Sequence, residues 1–215
     1  MVTDNGSADG SFEAIKRLIE GRRPSGIRVK LVRLERNYGF AGGVNRGYAA
    51  RDPDSRYLVL LNNDAVPYPD SLGRMVEVLE SNEGLAAAQR VIVRYGNPGV
   101  VDSAGGFLDG FLFSHQAFKG LGTSSARRGF DATYAEGSYS VYRVDYLRRA
   151  LKTGERLFYD FMFAYYDDSY LGLKLWNGGF ASLQCHGWWR STGGARRLEG
   201  LGLASSTSLS GTGSL

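Results

Sequence analysis

Cysteine is almost absent from this chain: Cys185 is the only one among 215 residues. No internal disulfide can form, so a reducing compartment is the simpler expectation, and Cys185 reads as a buried apolar side chain rather than a nucleophile. Long hydrophobic runs are missing as well. No stretch approaches the ~20 apolar residues of a spanning helix, and the amino terminus lacks the charged-then-apolar layout of a secretory signal. The expectation is a cytoplasmic chain, with peripheral contact at the inner face of the membrane left open. Also lacking are an aromatic-and-basic ribonucleoprotein signature, zinc-finger spacing and a basic helix suited to a groove, so no nucleic-acid partner is expected.

Glycine, by contrast, is plentiful at 30 of 215 residues, about twice the roughly 7% of average usage, and implies many turns or close backbone approaches. The formal net charge is +4 and the pI about 9.2. That balance suits phosphorylated substrates or an anionic membrane surface.

Along the chain, residues 1–3 read as the tail of a strand, followed by the turn Asp4-Asn5-Gly6-Ser7 and a helix over residues 11–20. Apolar residues alternate with basic ones from Ile27 to Leu31, the period-two mark of a strand that ends near Leu34. A glycine-bearing loop over residues 35–43 leads into a short helix over 44–50, and residues 57–61 form a buried apolar strand. Pro69 suits a first helical turn, and Leu72, Met75, Val76 and Leu79 give the helix after it one apolar face. Residues 85–93 read as a further strand and 94–129 as a long, glycine-rich irregular segment of the kind that forms a binding loop or lid. A strand over 138–143, helices over 145–151 and 167–177, and a strand over 180–183 complete the pattern. The alternation in the first hundred residues predicts an α/β fold with a parallel, doubly wound sheet. One domain over 1–202 is expected, with a nucleotide-binding half (1–93) and an acceptor-binding half (94–202). Residues 203–215, mostly Ser, Gly, Thr and Leu, read as a disordered tail.

The chemistry-bearing residues fall into a few clusters. The strand Leu60-Leu61 stops at Asn62-Asn63-Asp64, which puts hard oxygen donors at its carboxyl end, where open α/β sheets bind ligands and a cation can bridge phosphates. Those residues could instead cap the next helix, but Pro69 places that helix several residues later. Asp4-Asn5 is either a tight turn or a nucleotide contact, and Gly39, Gly42 and Gly43 match neither the dinucleotide nor the P-loop spacing. Asp167 and Asp168 follow an aromatic run and either open a helix favourably or form a pair with one raised pKa, suited to a general base. His186, one of two histidines, stands near Trp188 and Trp189, and reads as a structural histidine or a metal or phosphate contact.

Taken together, the succession from Val2 through Asp4-Asn5-Gly6-Ser7, Asn37-Tyr38-Gly39-Phe40-Ala41-Gly42-Gly43-Val44-Asn45, and Leu60 to Asp64 resembles the family-two inverting glycosyltransferases of GT-A fold, particularly the rhamnosyltransferase-like branch. Glu136-Gly137, Tyr142-Arg143, Phe163-Ala164-Tyr165-Tyr166-Asp167-Asp168 and Gly178-Gly179-Phe180 are similar to that family's acceptor-side half. The resemblance implies a nucleotide-diphospho-sugar transferase with a mixed, Rossmann-like sheet flanked by helices, moving a sugar to a glycan or lipid-linked acceptor with inversion. It implies that Asp4, Asn5, Asn37, Gly39, Gly43, Asn45, Asn62 and Asn63 line the donor pocket. Asp64, as the acid of an Asn-Asn-Asp version of the DXD motif, and His186 would hold Mg²⁺ or Mn²⁺. Asp168 would be the base with Asp167 beside it, and Glu136, Gly137 and Trp188 would face the acceptor. Tyr170 stands where the family often has a further Asp. The resemblance also implies a strand and helix before Asp4 that this chain does not carry, so it reads as amino-terminally truncated. From that follows a second expectation, an inactive remnant that binds nucleotide sugar or glycan; a sugar-phosphate nucleotidyltransferase is a weaker third.

Overall fold

The computed structural model describes residues 1–21, 26–152, 156–182 and 195–197. The elements, in order, are β1 (Val2–Asp4), α1 (Ser11–Gly21), β2 (Leu31–Arg33), α2 (Gly39–Ala49), β3 (Tyr57–Leu61), β4 (Ala65–Pro67), α3 (Ser71–Glu80), β5 (Leu85–Gln89), β6 (Ile92–Arg94), β7 (Val101–Ser103), β8 (Gly106–Leu108), β9 (Ser114–Gln116), β10 (Tyr139–Arg143), α4 (Val144–Ala150), α5 (Asp167–Asn177), β11 (Ala181–Ser182) and β12 (Ala195–Arg197). A turn of 3-10 helix over Thr123–Ala126 lies between β9 and β10.

The main sheet has the order β11-β5-β10-β3, with β11 parallel to β5 and β10 antiparallel to both neighbours. β1 and β2 pair in parallel as a separate ribbon, while β4, β12, β6 and β7 form a second four-stranded sheet. The sheet is therefore mixed rather than wholly parallel: β10 enters from the second half of the chain and runs against β3 and β5. Its five residues pair with all five of β3, Tyr139 opposite Leu61 through Arg143 opposite Tyr57.

The core sits around β5, every residue of which is buried. α3 covers β5 and β10 with Met75 and Leu79, and α5 brings Leu171 and Leu175 against α4 and β11. Each such side chain contributes about 1.5–3 kcal/mol by leaving water. A smaller cluster of Val101, Ala104, Ala117 and Ala126 packs beside Phe118 and Phe130.

Several expectations require correction. β3 is not a buried strand: only Leu60 is buried, and Leu61 is 48% exposed. The reason is its place at the sheet edge, where β10 is its one ladder partner among the described residues. The strand at 27–34 shrinks to Leu31–Arg33 because the facing β1 offers only three residues to pair with. The helix expected at 44–50 starts five residues earlier, at Gly39. The helix after Asp64 begins at Ser71, behind Asp70 in a left-handed conformation with φ 60°, so Pro69 lies in the preceding turn. Residues 94–129 are not irregular; they hold β7, β8, β9 and the 3-10 turn. The helix expected at 11–20 runs Ser11–Gly21, and the one at 167–177 falls where the spacing of Leu171 and Leu175 places it. The expected tail over 203–215 lies outside the described residues.

Candidate functional site

The amino-terminal end of α2 is a junction. Asn5 donates from Nδ2 to Asn37 Oδ1 (3.0 Å) and to the Gly39 carbonyl (2.9 Å), and its Oδ1 accepts from the Tyr38 amide (3.1 Å). Asn37 Oδ1 also accepts from the Gly39 amide at 2.8 Å. These bonds tie the turn after β1 to the first turn of α2. Asp4, 5% exposed, accepts from the Ser7 amide at 3.2 Å and lies 4.0 Å from Arg33 Nε.

The glycines at this junction are there for space. A Cβ on Gly43 would stand 3.2 Å from Asn5 Nδ2, and one on Gly39 would stand 2.4 Å from the Phe163 carbonyl oxygen. Gly39 also has φ +72°, a conformation that costs a side chain about 1–2 kcal/mol. Next to it, the Phe40 amide donates to the same Phe163 carbonyl at 2.7 Å. Deeper in α2, Asn45 has both amide protons engaged, on the Phe158 carbonyl and Asp160 Oδ1, each at 2.8 Å, while its Oδ1 accepts from the Phe158 amide at 3.1 Å. Asn45 therefore ties α2 to the loop that leads into α5.

That loop ends under strain. Tyr165 and Tyr166 both have positive φ, 74° and 62°, where non-glycine residues are uncommon. Immediately after them Asp167, 3% exposed, and Asp168 open α5. Asp167 Oδ2 and Asp168 Oδ1 are buried without a hydrogen-bond partner. Burial, foremost, and then the neighbouring charge of Asp167 hold the Asp168 carboxyl well above the usual carboxylate range; Glu136 adds to the rise, and the Gly137 amide opposes it. Asp167 is raised as well, chiefly by burial. Helix position alone would favour both charges, so burial and repulsion win here.

Glu136 and Gly137 precede β10 and meet this pair. A Cβ on Gly137 would lie 3.1 Å from Asp168 Oδ1 and 2.5 Å from Phe40 Cζ, so only glycine lets α2, β10 and α5 approach so closely. Glu136 is buried, which raises its carboxyl, and it accepts from Gln116 Nε2 at 2.9 Å while its amide donates to Gln89 Oε1. One residue on, the Ser138 carbonyl accepts from the Asn62 amide at 3.0 Å. Asn62 to Asp64 form a turn closed by the Ala65 amide on the Asn62 carbonyl (3.2 Å), between β3 and β4. They cap no helix.

A continuous line of contacts thus runs from the Asp4-Asn5 turn through the start of α2 to Gly137 and Asp168, and through Ser138 to Asn62. It joins Asp4, Asn5, Asn37, Gly39, Gly137, Asp168 and Asn62 through successive contacts. Asn63 is exposed in the same turn, and Asp64 is partly buried beside it. His186 and Trp188 lie outside the described residues. Tyr170 tilts against Tyr159 with ring centroids 4.7 Å apart, and burial together with the Tyr159 hydroxyl pushes its own hydroxyl up to about 12. A surface hollow lined by Arg28, Asp52, Pro53, Asp54 and Ser55 shares no residue with this line.

Sequence reasoning quoted Phe40 and Phe163 without giving them a role and missed Gln89 and Ser114; in the structure Phe40 lies against Gly137, the Phe163 carbonyl accepts from the Phe40 amide, and Gln89 accepts from the Glu136 amide. Ser114 bonds to Tyr134 and lies 3.5 Å from Ser169, two residues into α5. The Ser114–Ser169 contact joins residues 55 apart and leaves no local signal.

The fold, a mixed sheet with flanking helices, is the GT-A fold of glycosyltransferases. The mannosyltransferase PcManGT from Pyrobaculum calidifontis, solved with GDP-Man and Mn²⁺, superimposes with a TM-score of 0.55 at 19% identity, over 88% of this chain and 48% of that one. GalNAc-T7, solved with UDP, GalNAc and Mn²⁺, superimposes with a TM-score of 0.66 at 11% identity, over 99% of this chain and 39% of that one. This chain spans less than half the length of either neighbour. None of the curated proteins matches it. The model of glycosyl transferase family 2 matches residues 1–151, and the chain belongs to that family.

Proposed function

We propose that this chain transfers a hexosyl group from a nucleoside-diphosphate sugar to a hydroxyl of a glycan or lipid-linked acceptor, with inversion at the anomeric carbon. The observation that carries this reading is the Asp168 carboxylate: raised by burial and by Asp167, it abuts Gly137 and has an unpartnered oxygen available for an incoming proton. In one displacement the acceptor oxygen forms its bond to the anomeric carbon, its proton passes to Asp168, and the bond from that carbon to the diphosphate breaks. Asp4, Asn5, Asn37, Gly39 and Gly43 frame the nucleotide side, and Asn62 and Asn63 the diphosphate side. Asn45 positions the loop before α5. Glu136 and Gly137 face the acceptor side, with Trp188 assigned there by sequence alone.

The residues fit a divalent cation, Mg²⁺ or Mn²⁺. Among the described residues no three His, Cys, Asp or Glu side chains cluster as a closed cage. A single carboxylate, Asp64, with the oxygens of Asn62 and Asn63 in an open turn is the donor set of an ion that completes its shell with phosphate oxygens and waters. His186 is a further ligand in this reading. Bound there, the ion would supply positive charge that stabilises the departing diphosphate.

A binding-only role is the second reading. It is favoured by the open ladder edges of β1 and β3 among the described residues and by the exposure of Leu61. No helix among the described residues is long and apolar enough to cross a membrane.

The test is incubation of the purified chain with Mn²⁺ and a panel of UDP-, GDP- and dTDP-sugars. Release of nucleoside diphosphate above the protein-free rate is expected with at least one donor. Calorimetric nucleotide binding without release would favour the second reading, and neither binding nor release would remove both.

A further inference from the structure

β8 and β9 form an antiparallel hairpin, Leu108 opposite Ser114, joined by residues 109–113. In this connection the Asp109 carboxylate bonds the loop's own backbone amides while the apolar side chains face water. Asp109 Oδ1 accepts from the Phe111 and Phe113 amides, both at 2.9 Å, and Oδ2 meets His115 Nε2 at 2.9 Å. The Asp109 amide donates to the Phe113 carbonyl at 3.1 Å and the Leu112 amide to the Asp109 carbonyl at 2.9 Å. Leu112 is held at φ 65°. The His115 bond, foremost, keeps the Asp109 carboxyl below its usual range, so the anchor is ionised at neutral pH.

The loop so fixed presents Phe111, Leu112 and Phe113 at 86%, 62% and 60% exposure. Three consecutive large apolar side chains held outward in one backbone conformation make an exposed patch of the kind that marks an interaction site. The surroundings are cationic. At the root of the hairpin the Phe107 ring packs on Phe130 (centroids 5.4 Å apart), and Phe118 packs on the same ring at 5.3 Å. Lys119 follows Phe118, and Arg127 and Arg128 just precede Phe130; all three are exposed. Residues 94–131 carry four Lys or Arg against three Asp, one of which is the loop anchor.

We propose that the Phe111–Phe113 tip is a membrane-inserting wedge, seated on an anionic bilayer by Lys119, Arg127 and Arg128. A convex apolar tip suits a fluid surface that closes around it, and the basic side chains at its root match acidic headgroups. A second copy of this chain would bring like charges together at the same place.

The experiment is co-sedimentation of the full chain with phosphatidylcholine vesicles, with and without phosphatidylglycerol. Binding to the vesicles containing phosphatidylglycerol is expected, weakened by salt. It should fall at least tenfold when Phe111, Leu112 and Phe113 are replaced together by Ser, with the circular dichroism unchanged. Phe111→Trp should add blue-shifted emission that is quenched by brominated acyl chains. Three results would overturn the proposal: no vesicle binding by the parent chain, unaltered binding by the triple variant, or a dimer in sedimentation equilibrium that the triple variant abolishes.

Discussion

Replacing Asp168 by Asn is expected to lower the rate of glycosyl transfer by about 10²–10⁴-fold, the contribution of a positioned general base, while nucleotide binding stays within a few-fold of the parent. The substitution keeps the shape at Gly137 and removes only the proton acceptor. In the parent, kcat/KM should fall on the acid side at a pH above the usual carboxylate range, because Asp168 must be ionised to act and its pKa is raised by burial and by Asp167. Folding stability moves the opposite way. A carboxyl raised in the folded state binds its proton more tightly there than in the unfolded chain. Its stabilisation is therefore complete below the unfolded value and is lost as pH rises through the folded one. Above its folded-state value the ionised Asp168 is a burden, so in that range Asp168→Asn should melt no lower than the parent. Each kcal/mol relieved corresponds to about 2–4 °C in a chain of this size. A variant that is inactive and more stable fits a base held against its own preference. A pH-independent loss of both activity and stability would mean that Asp168 is only a structural helix-opening residue.

Gly39→Val should have the largest structural effect. Its Cβ would stand 2.4 Å from a backbone oxygen, which cannot swing aside as a side chain can, and φ +72° adds a strain of about 1–2 kcal/mol for any side chain. A total loss of about 3 kcal/mol or more is expected, lowering the melting temperature by about 6–12 °C. The displaced Phe163 lies four residues before Asp167, so activity should fall further than stability alone accounts for. Gly73→Ala is the control. Gly73 lies exposed in α3 with nothing near its Cβ position, and the change should stabilise by about 0.5–1 kcal/mol. Equal melting temperatures for the two variants would mean that α2 and the 159–166 loop are not packed as described.

Much of this site was legible in the sequence, and the illegible parts have specific causes. α5 was readable to the residue because two acids open it, Leu171 and Leu175 keep one face, and Gly178 ends it. The start of α2 was hidden by Gly39, Gly42 and Gly43, which argue for a loop from sequence. In the folded chain Gly39 and Gly43 let the helix pack against Phe163 and Asn5, and Gly42 leaves room for Tyr38. The exposure of β3 was hidden because an apolar strand reads the same at the edge of a sheet as at its centre. In residues 94–129 the strands are three residues each, too short to establish a period. The acidic pair, the Asn-Asn-Asp turn and Glu136-Gly137 were each visible as residue types in a pattern. Their contact through Phe40, Gly137 and Ser138 was not, since it depends on β10 pairing with a strand some 80 residues earlier.

The central claim is that Asp64 and Asp168 serve one donor site, and anomalous diffraction from crystals grown with Mn²⁺ and a nucleoside diphosphate tests it most directly. The expected map has one manganese peak at Asp64, joined to the diphosphate, with the nucleotide against the Asp4-Asn5 turn and the diphosphate end facing Asp168; Asp64→Ala should erase the peak. Manganese and nucleotide bound together at a place that touches neither Asp64 nor Asp168 would contradict the account.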